Sequence, residues 1–363
     1  MIIGSVTLII LAIFILIIVL LAITAPIYLH LPRFGKFPSG ERLERIRRSP
    51  NYRDGQFHNL VPTEIMTSKS FGKLLKTFNK IVFGKKSTLK PPFPLPMVKR
   101  DLQHLAPDDD FYVWFGHSSY LLSIHGVTVL VDPVFITASP VSFVNKPFPG
   151  TDCYLPEDMP EQIDFLVITH DHYDHLDCET IERIKGRMKR VVCPLGVGEH
   201  LERWGILPEQ LIEMDWNESF TISDWTVHCL PSQHFSGRSF RRNNTLWASF
   251  LLESPHGKFF LGCDGGYGPH FRDIGTKHPD IDVAILENGQ YNQHWAGIHT
   301  LPEQLGLAVK DLGAKQVITV HHSKYALSLH PWDEPLHNEL AARDEYGFNL
   351  LVAELGEITR LHH

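Results

Sequence analysis

The stretch Thr169-His170-Asp171-His172-Tyr173-Asp174-His175-Leu176-Asp177 puts three imidazoles and three carboxylates into nine residues, directly after the apolar run Phe165 to Ile168. Such a segment makes physical sense where a buried strand ends and hands ligating side chains to a cation. In an extended or tightly turning segment His170 and His172, two apart, point the same way. Asp174 and His175 follow where the chain bends, so one short loop can serve two neighbouring metal ions. A merely polar loop in a histidine-rich chain, with 22 His in all, does not require the order His-x-His-x-Asp-His behind an apolar strand.

A second feature lies at the opposite pole of polarity. From Ile2 to Leu31 the chain is almost unbroken Ile, Leu, Val, Ala and Phe, longer than the roughly 20 apolar residues that cross a bilayer core. No Lys or Arg precedes it and no small-x-small cleavage site stands out beyond Ala22 to Ala25, so an uncleaved anchor is expected rather than a secretory signal. Arg33, Lys36, Arg42, Arg45, Arg47 and Arg48 all lie on its C-terminal side. The positive-inside rule then puts the body in the cytoplasm.

The net charge of −7 conceals a segregation. Residues 30–100 hold sixteen Lys and Arg against four Asp and Glu, a balance of +12, which leaves −19 for residues 101–363. An acidic body on a basic neck argues against nucleic acid and for an anionic lipid surface as partner. Within the neck, Phe71, Leu74, Leu75, Phe78, Ile81 and Val82 recur at helical spacing among Lys69, Lys73, Lys76 and Lys80, which predicts a basic amphipathic helix, either in the headgroup region or packed on the body. Pro91 to Pro96 stiffen the link that follows. The expected division is an anchor at 1–31, a juxtamembrane neck at 32–108 and a folded body that carries the metal loop at 109–363. Cys153, Cys178, Cys193, Cys229 and Cys263 are odd in number and have no CxxC pair, which suits reduced thiols. Cys263, beside Asp264, is the one thiol that could approach a metal.

Strands are predicted at Phe111 to Phe115, Tyr120 to Ile124, Val127 to Val131, Phe165 to Ile168, Trp225 to Leu230, Leu246 to Leu252, Lys258 to Leu261, Val283 to Leu286 and Gln316 to Val320. Helices are predicted at Cys178 to Lys189, Gly196 to Trp204, Pro302 to Asp311 and Glu334 to Tyr346. Two sheets packed face to face with helices outside fit this order. His234, Asp264 and His321 each follow one of the apolar strands, as ligands aimed from a rigid scaffold should. His322 competes with His321 for the last place.

These residues carry a resemblance. Trp114 to Ser119, Val131 to Phe135, the His170 to Asp177 loop, Gln233 to Arg238, Thr245 to Trp247, Asp264 to Tyr267, His299 to Glu303 and His321 through Leu327 resemble the metallo-β-lactamase superfamily. Within it they look like the branch of N-acylphosphatidylethanolamine-hydrolysing phospholipase D and its bacterial relatives. The resemblance implies an α+β fold, an αββα sandwich with the metal site at one edge, preceded here by the transmembrane helix. It implies that His170, His172 and His234 hold one zinc and Asp174, His175 and His321 a second, with Asp264 bridging; iron or manganese would also suit these ligands. His117 and Asp132 resemble positions that orient the ligands. Arg238 and His299 look like substrate-side residues, one for a phosphate oxygen and one for the leaving group. The segment Arg238 to Asn244 lacks the Asp that some relatives carry before the Asn, so the fine geometry of the substrate pocket departs from theirs.

Two cations bridged by a water bring its pKa from about 15.7 toward about 7, so the attacking species forms at neutral pH. With an anchor that confines the search to a bilayer, the expected activity is phospholipase D-type hydrolysis of N-acylphosphatidylethanolamine or a related phospholipid. The alternatives are a lactonase or esterase acting on a small phosphorylated metabolite, similar to the ascorbate-6-phosphate lactonases, and a non-catalytic membrane scaffold stabilised by metal. A homodimer is compatible with either enzyme reading.

Overall fold

The computed structural model describes residues 2–65, 88–104 and 110–361, with side chains from residue 10 onward. The predicted amphipathic helix at 71–82 lies outside the described residues. The apolar N-terminal run forms one helix, α1 (Ile2–Leu29), of which Ile10–Leu29 is long and apolar enough to cross a membrane. A short helix, α2 (Gly40–Arg48), and a small hairpin of β1 (Tyr52–Arg53) and β2 (Gln56–Phe57) follow.

Two seven-stranded sheets form the body. The first contains β3 (Phe111–Trp114), β4 (Tyr120–Ile124), β5 (Val127–Val131), β6 (Ile163–Val167), β7 (Met188–Pro194), β8 (Leu211–Met214) and, beside β3, the C-terminal β16 (Ile358–Arg360). The second runs from β9 (Ser219–Ile222) through β10 (Trp225–Leu230), β11 (Ser249–Ser254), β12 (Gly257–Leu261), β13 (Val283–Glu287) and β14 (Gln316–Val320) to β15 (Asn349–Leu350). In each sheet the hairpin-linked strands pair antiparallel, and the strands joined through helices pair parallel. The crossover helices α3 (Cys178–Ile184) and α4 (Gly198–Arg203) cover the first sheet, and α5 (His270–Lys277), α6 (Pro302–Leu312) and α7 (Glu334–Tyr346) cover the second.

Strands covered on both faces must be apolar on both, and β4, β13 and β14 are buried at every position. One apolar cluster fills the space between the sheets, and one lies between each sheet and its helices. The architecture is therefore the αββα sandwich expected. Strand direction decides where the site goes. β3, β5 and β6 end at one edge of the first sheet, and β10, β12, β13 and β14 end at one edge of the second. Backbone bonds from His117 N to His322 O (2.8 Å) and from His321 N to His117 O (2.9 Å) fasten those two edges together.

The structure departs from the predicted elements at identifiable places. The helix expected at Cys178 to Lys189 stops at Ile184, and a 3₁₀ turn through Gly186 leads into β7. Met188 and Lys189 are drawn into β7, whose β-branched Val191-Val192 run pairs in parallel with β6, so tertiary pairing overrides the helical pattern at those two residues. The strand expected from Leu246 begins at Ser249. Leu246 and Ala248 instead donate their N–H groups to Leu195 and Thr169 in the loops of the other sheet. The basic stretch after α1 is not a free neck: Ile46 and Phe57 are fully buried in the inter-sheet core. Arg42 pairs with Glu199, Glu202 and Glu213. All five cysteines are unpaired thiols.

Candidate metal centre

Seven strand ends at one edge deliver the polar residues. After β6, His170 Nε2 and His172 Nδ1 stand 2.9 Å apart, and His234 Nε2 reaches to 3.3 Å from the same His172 nitrogen. His234 Nδ1 lies 2.8 Å from the Ile298 carbonyl and so carries the proton, which leaves the Nε2 lone pair facing the other two rings. Burial first, and then the neighbouring imidazoles, hold His170 and His234 well below the ordinary imidazole range, and burial lowers His172. Three rings held neutral with converging nitrogens make a candidate cation site.

On the other side of Asp264 a second group assembles. Its Oδ2 is 3.1 Å from His175 Nε2 and 4.0 Å from His234 Nε2, and its Oδ1 is 3.1 Å from His321 Nδ1. Asp174 Oδ2 stands 3.8 Å from His175 Nε2. Thus one carboxylate faces both triads, as a bridging ligand must. His175 Nε2 is a buried nitrogen with no hydrogen-bond partner among the described residues, a vacancy in its bonding that a cation would fill. The donor set of imidazoles and carboxylates without thiolate suits zinc, iron or manganese. Burial opposes ionisation of Asp264, yet His175, His299 and His234 bring it down to about 2.

The supporting residues follow the same strand ends. Asp132, just after β5, accepts the Thr169 N–H at 2.8 Å and the Thr169 hydroxyl at 2.6 Å, and stands 2.8 Å from His175 Nδ1. His117, after β3, places Nε2 3.0 Å from Asp174 Oδ2 while its ring centroid lies 4.1 Å from that of His321, the planes tilted by 39°. Gly289 is required by close approach: a Cβ there would sit 2.1 Å from the His321 carbonyl oxygen.

Residues 127–322 match the family model of a β-lactamase superfamily domain. The chain belongs to the metallo-β-lactamase superfamily. An uncharacterised protein of Mycobacterium tuberculosis is 38% identical over 306 residues, which cover 82% of this chain and 80% of that one. The N-acyl-phosphatidylethanolamine-hydrolysing phospholipase D 1 of Caenorhabditis elegans is 29% identical over 299 residues, 73% of this chain and 83% of its own. Among solved structures, Igni18, a metallo hydrolase of Ignicoccus hospitalis, is similar with a TM-score of 0.54 at 20% identity, over 70% of this chain and 99% of that one. Likeness at that level speaks for the fold alone.

In this superfamily member His170, His172, Asp174, His175, His234, Asp264 and His321 all meet at the one edge. His322 does not join them. Its Nε2 contacts the Thr319 hydroxyl at 3.1 Å and its Nδ1 the Ser323 hydroxyl at 2.8 Å, against the Trp114 ring. Cys263 Sγ lies behind His170, 3.7 Å from Nδ1, the nitrogen turned away from the cluster.

The role expected of Arg238 needs correction. Its guanidinium is buried and donates to the carbonyls of Asp171, Leu176 and Arg33, on the Tyr173 ring, and it lines a different cavity from the metal cluster. The arginine that borders the metal cavity is Arg242, which sequence reasoning passed over; its Cζ lies 5.4 Å from the Phe235 ring centroid. His299 does line that cavity. Glu287, also missed, holds His299 Nδ1 at 2.8 Å and accepts the Thr300 N–H at 2.6 Å. A lone carboxylate closing the apolar run Val283 to Leu286 was the available signal. Burial would lower His299, but the facing Glu287 outweighs it and raises it. Asp171, between the two ligating histidines, points the other way and accepts from Gly237 N at 2.7 Å and the Thr245 hydroxyl at 2.9 Å.

Proposed function

We propose that this metal-dependent hydrolase cleaves the phosphodiester of N-acylphosphatidylethanolamine or a related phospholipid in the membrane that holds its N-terminal helix. The observation that carries the reading is the cavity over the cluster, about 280 Å³, whose wall joins Phe235, Trp295, Ile298 and Leu327 to Arg242 and His299. An apolar wall suits acyl chains, and a cation at its rim suits a phosphate. The worm relative's name supports the substrate class. A bilayer-confined substrate also explains an apolar helix that would serve no purpose for a soluble metabolite.

His170, His172 and His234 would hold one ion and Asp174, His175 and His321 the other, with Asp264 between them; zinc is the metal we favour. When bound, the pair supplies an activated water and Lewis-acid stabilisation of the phosphate oxygens. Water's oxygen bonds to phosphorus, its proton passing to Asp264, as the bond from phosphorus to the N-acylethanolamine oxygen breaks, which gives phosphatidate. Arg242 neutralises charge that builds on the phosphate oxygens. His299, with Nδ1 fixed by Glu287, has Nε2 left to give the leaving alkoxide its proton. Asp132 and His117 keep His175 and Asp174 in register.

The test is mass spectrometry of lipids from vesicles containing N-acylphosphatidylethanolamine, incubated with metal-loaded full-length protein and with His234→Ala. Phosphatidate and N-acylethanolamine should rise together with the wild type only. Release of no phosphatidate from any phospholipid, alongside turnover of a soluble phosphorylated lactone, would transfer the assignment to the lactonase class.

A further inference from the structure

A second cavity, about 380 Å³, opens where α1 meets the body, and the reacting centre makes no use of it. Leu29, Phe34 and Phe37 wall it on the anchor side, with Phe240, Arg241 and Arg203 opposite. Leu29 is the last residue of the candidate span Ile10–Leu29, which puts the opening at headgroup depth if that span crosses a bilayer.

The charge here is unusual. Arg203 donates to the carbonyls of Gly35 (2.9 Å) and His30, and Arg33 donates to that of Pro140 (3.0 Å). Arg241 lies with Cζ 5.5 Å from the Phe37 ring centroid. Arg238 at the floor also donates only to carbonyls. Among the described residues no carboxylate forms an ion pair with any of these four arginines. By contrast Arg42, nearby, pairs with three glutamates, and Lys36 pairs with Glu199. The cavity's own acid, Asp171, already accepts from His200, Gly237 and Thr245.

Around the opening the apolar surface is turned outward. Phe240 is 90% exposed and Phe143 75%. The loop that bears Phe143 is tied to the helix end by Tyr28 Oη to the Pro140 carbonyl at 3.0 Å. Unneutralised arginines beside exposed aromatics at the end of an apolar span form a surface complementary to an anionic lipid interface.

We propose that this cavity is an accessory site for one anionic phospholipid, its headgroup phosphate between Arg203 and Arg241, with Phe240 and Phe143 seated at the boundary of the acyl region. The site is distinct from the metal cavity: Arg241 lines one and its neighbour Arg242 the other. The inference rests on the reading of Ile10–Leu29 as a bilayer span, not on which bond the metal centre cleaves.

Native mass spectrometry of the full chain released from nanodiscs of phosphatidylcholine doped with phosphatidylglycerol tests it. The wild type should retain one phosphatidylglycerol in preference to phosphatidylcholine, and Arg241→Glu should lower that preference at least about fivefold, the loss expected for a single cation at an anionic surface. His234→Ala should keep the preference intact, so failure of the hydrolase reading leaves this one standing. Arg203→Gln, checked for native thermal unfolding, gives a second measurement. Equal retention of the two lipids by the wild type, or an unchanged preference in both arginine variants, overturns the proposal. So does displacement of the lipid by inorganic phosphate at matching concentration, which would make the cavity a plain anion site.

Discussion

Replacing Asp132 by Asn tests whether the metal centre is organised from behind. The side chain keeps its shape, and one oxygen can still accept the Thr169 N–H now held at 2.8 Å, so the strand end should stay folded. The other position changes sign. Where Oδ2 now accepts from the Thr169 hydroxyl (2.6 Å) and faces His175 Nδ1 (2.8 Å), an amide nitrogen would meet two donors. His175 can relieve that clash only by moving its proton to Nε2, the nitrogen that faces Asp264 and must be free to bind a cation. Loss of such a charge-assisted bond costs about 1.5–3 kcal/mol, in line with the roughly 10- to 100-fold loss of metal affinity seen when such orienting carboxylates are removed. The assay is metal content after dialysis against graded chelator. The variant should lose one of two equivalents first, while the ion between His170, His172 and His234 stays. Retention of both metals with wild-type affinity, in a variant of native stability, would refute the orienting role of Asp132.

Other consequences are direct. His234→Ala should remove a ligand from the first triad and reduce bound metal toward one equivalent with activity abolished, as measured by elemental analysis. Gly289→Ala would force a Cβ to within 2.1 Å of the His321 carbonyl, so a destabilisation of about 1–3 kcal/mol and weaker metal retention are expected by denaturant unfolding and chelator competition. Glu339, on the buried face of α7 where the Thr319 hydroxyl donates to it, is raised by burial from 4.5 to about 7. Its folded-state pKa is the higher one, so its contribution is fully present below pH 4.5 and is lost as pH rises through 7, a change on the order of 3 kcal/mol; Glu339→Gln should flatten that part of the stability profile in pH-dependent unfolding.

The parts of the site that are local in sequence were legible, and those made by convergence were less so. The His170 to His175 ligands share one loop, and His234, Asp264 and His321 could be found because each stands just past an apolar strand. Arg238 was misread for a physical reason. It sits four residues from His234, where a substrate-facing cation is expected, but the carbonyls that capture it come from Arg33, Asp171 and Leu176, whose proximity no local pattern reveals. The strands that escaped notice have the weakest periodic signal. β8 is only four residues long, and β9 is the edge strand of its sheet. β7 overlaps the helix expected at Cys178 to Lys189 only at Met188 and Lys189, and its short apolar run Val191-Val192-Cys193 declares itself as a strand only through the parallel pairing with β6.

The same carbonyls show that the segment after α1 is part of the catalytic edge and not a tether. His200 Nδ1 accepts the Lys36 N–H at 2.9 Å, so its proton sits on Nε2, directed at Asp171 Oδ2 at 3.2 Å. Asp171 in turn fixes Gly237 and Thr245 beside the loop that supplies His234. Arg238 closes the circuit by joining Arg33 to the backbone of Asp171 and Leu176, on either side of three ligands. Removing the apolar helix alone, in a chain that starts at residue 30, leaves every one of these bonds in place, and metal affinity should survive. A chain that starts at residue 50 loses the bonds made by Lys36 and Arg33, and it also strips Arg42 from Glu199 and Glu213, whose side chains are only 5% and 10% exposed. Buried charges left without a partner cost about 3–5 kcal/mol, so this shorter chain should unfold at markedly lower denaturant and release metal at chelator concentrations the longer one withstands. Equal stability and equal metal retention in the two truncated chains would show that the segment after α1 is only a tether after all.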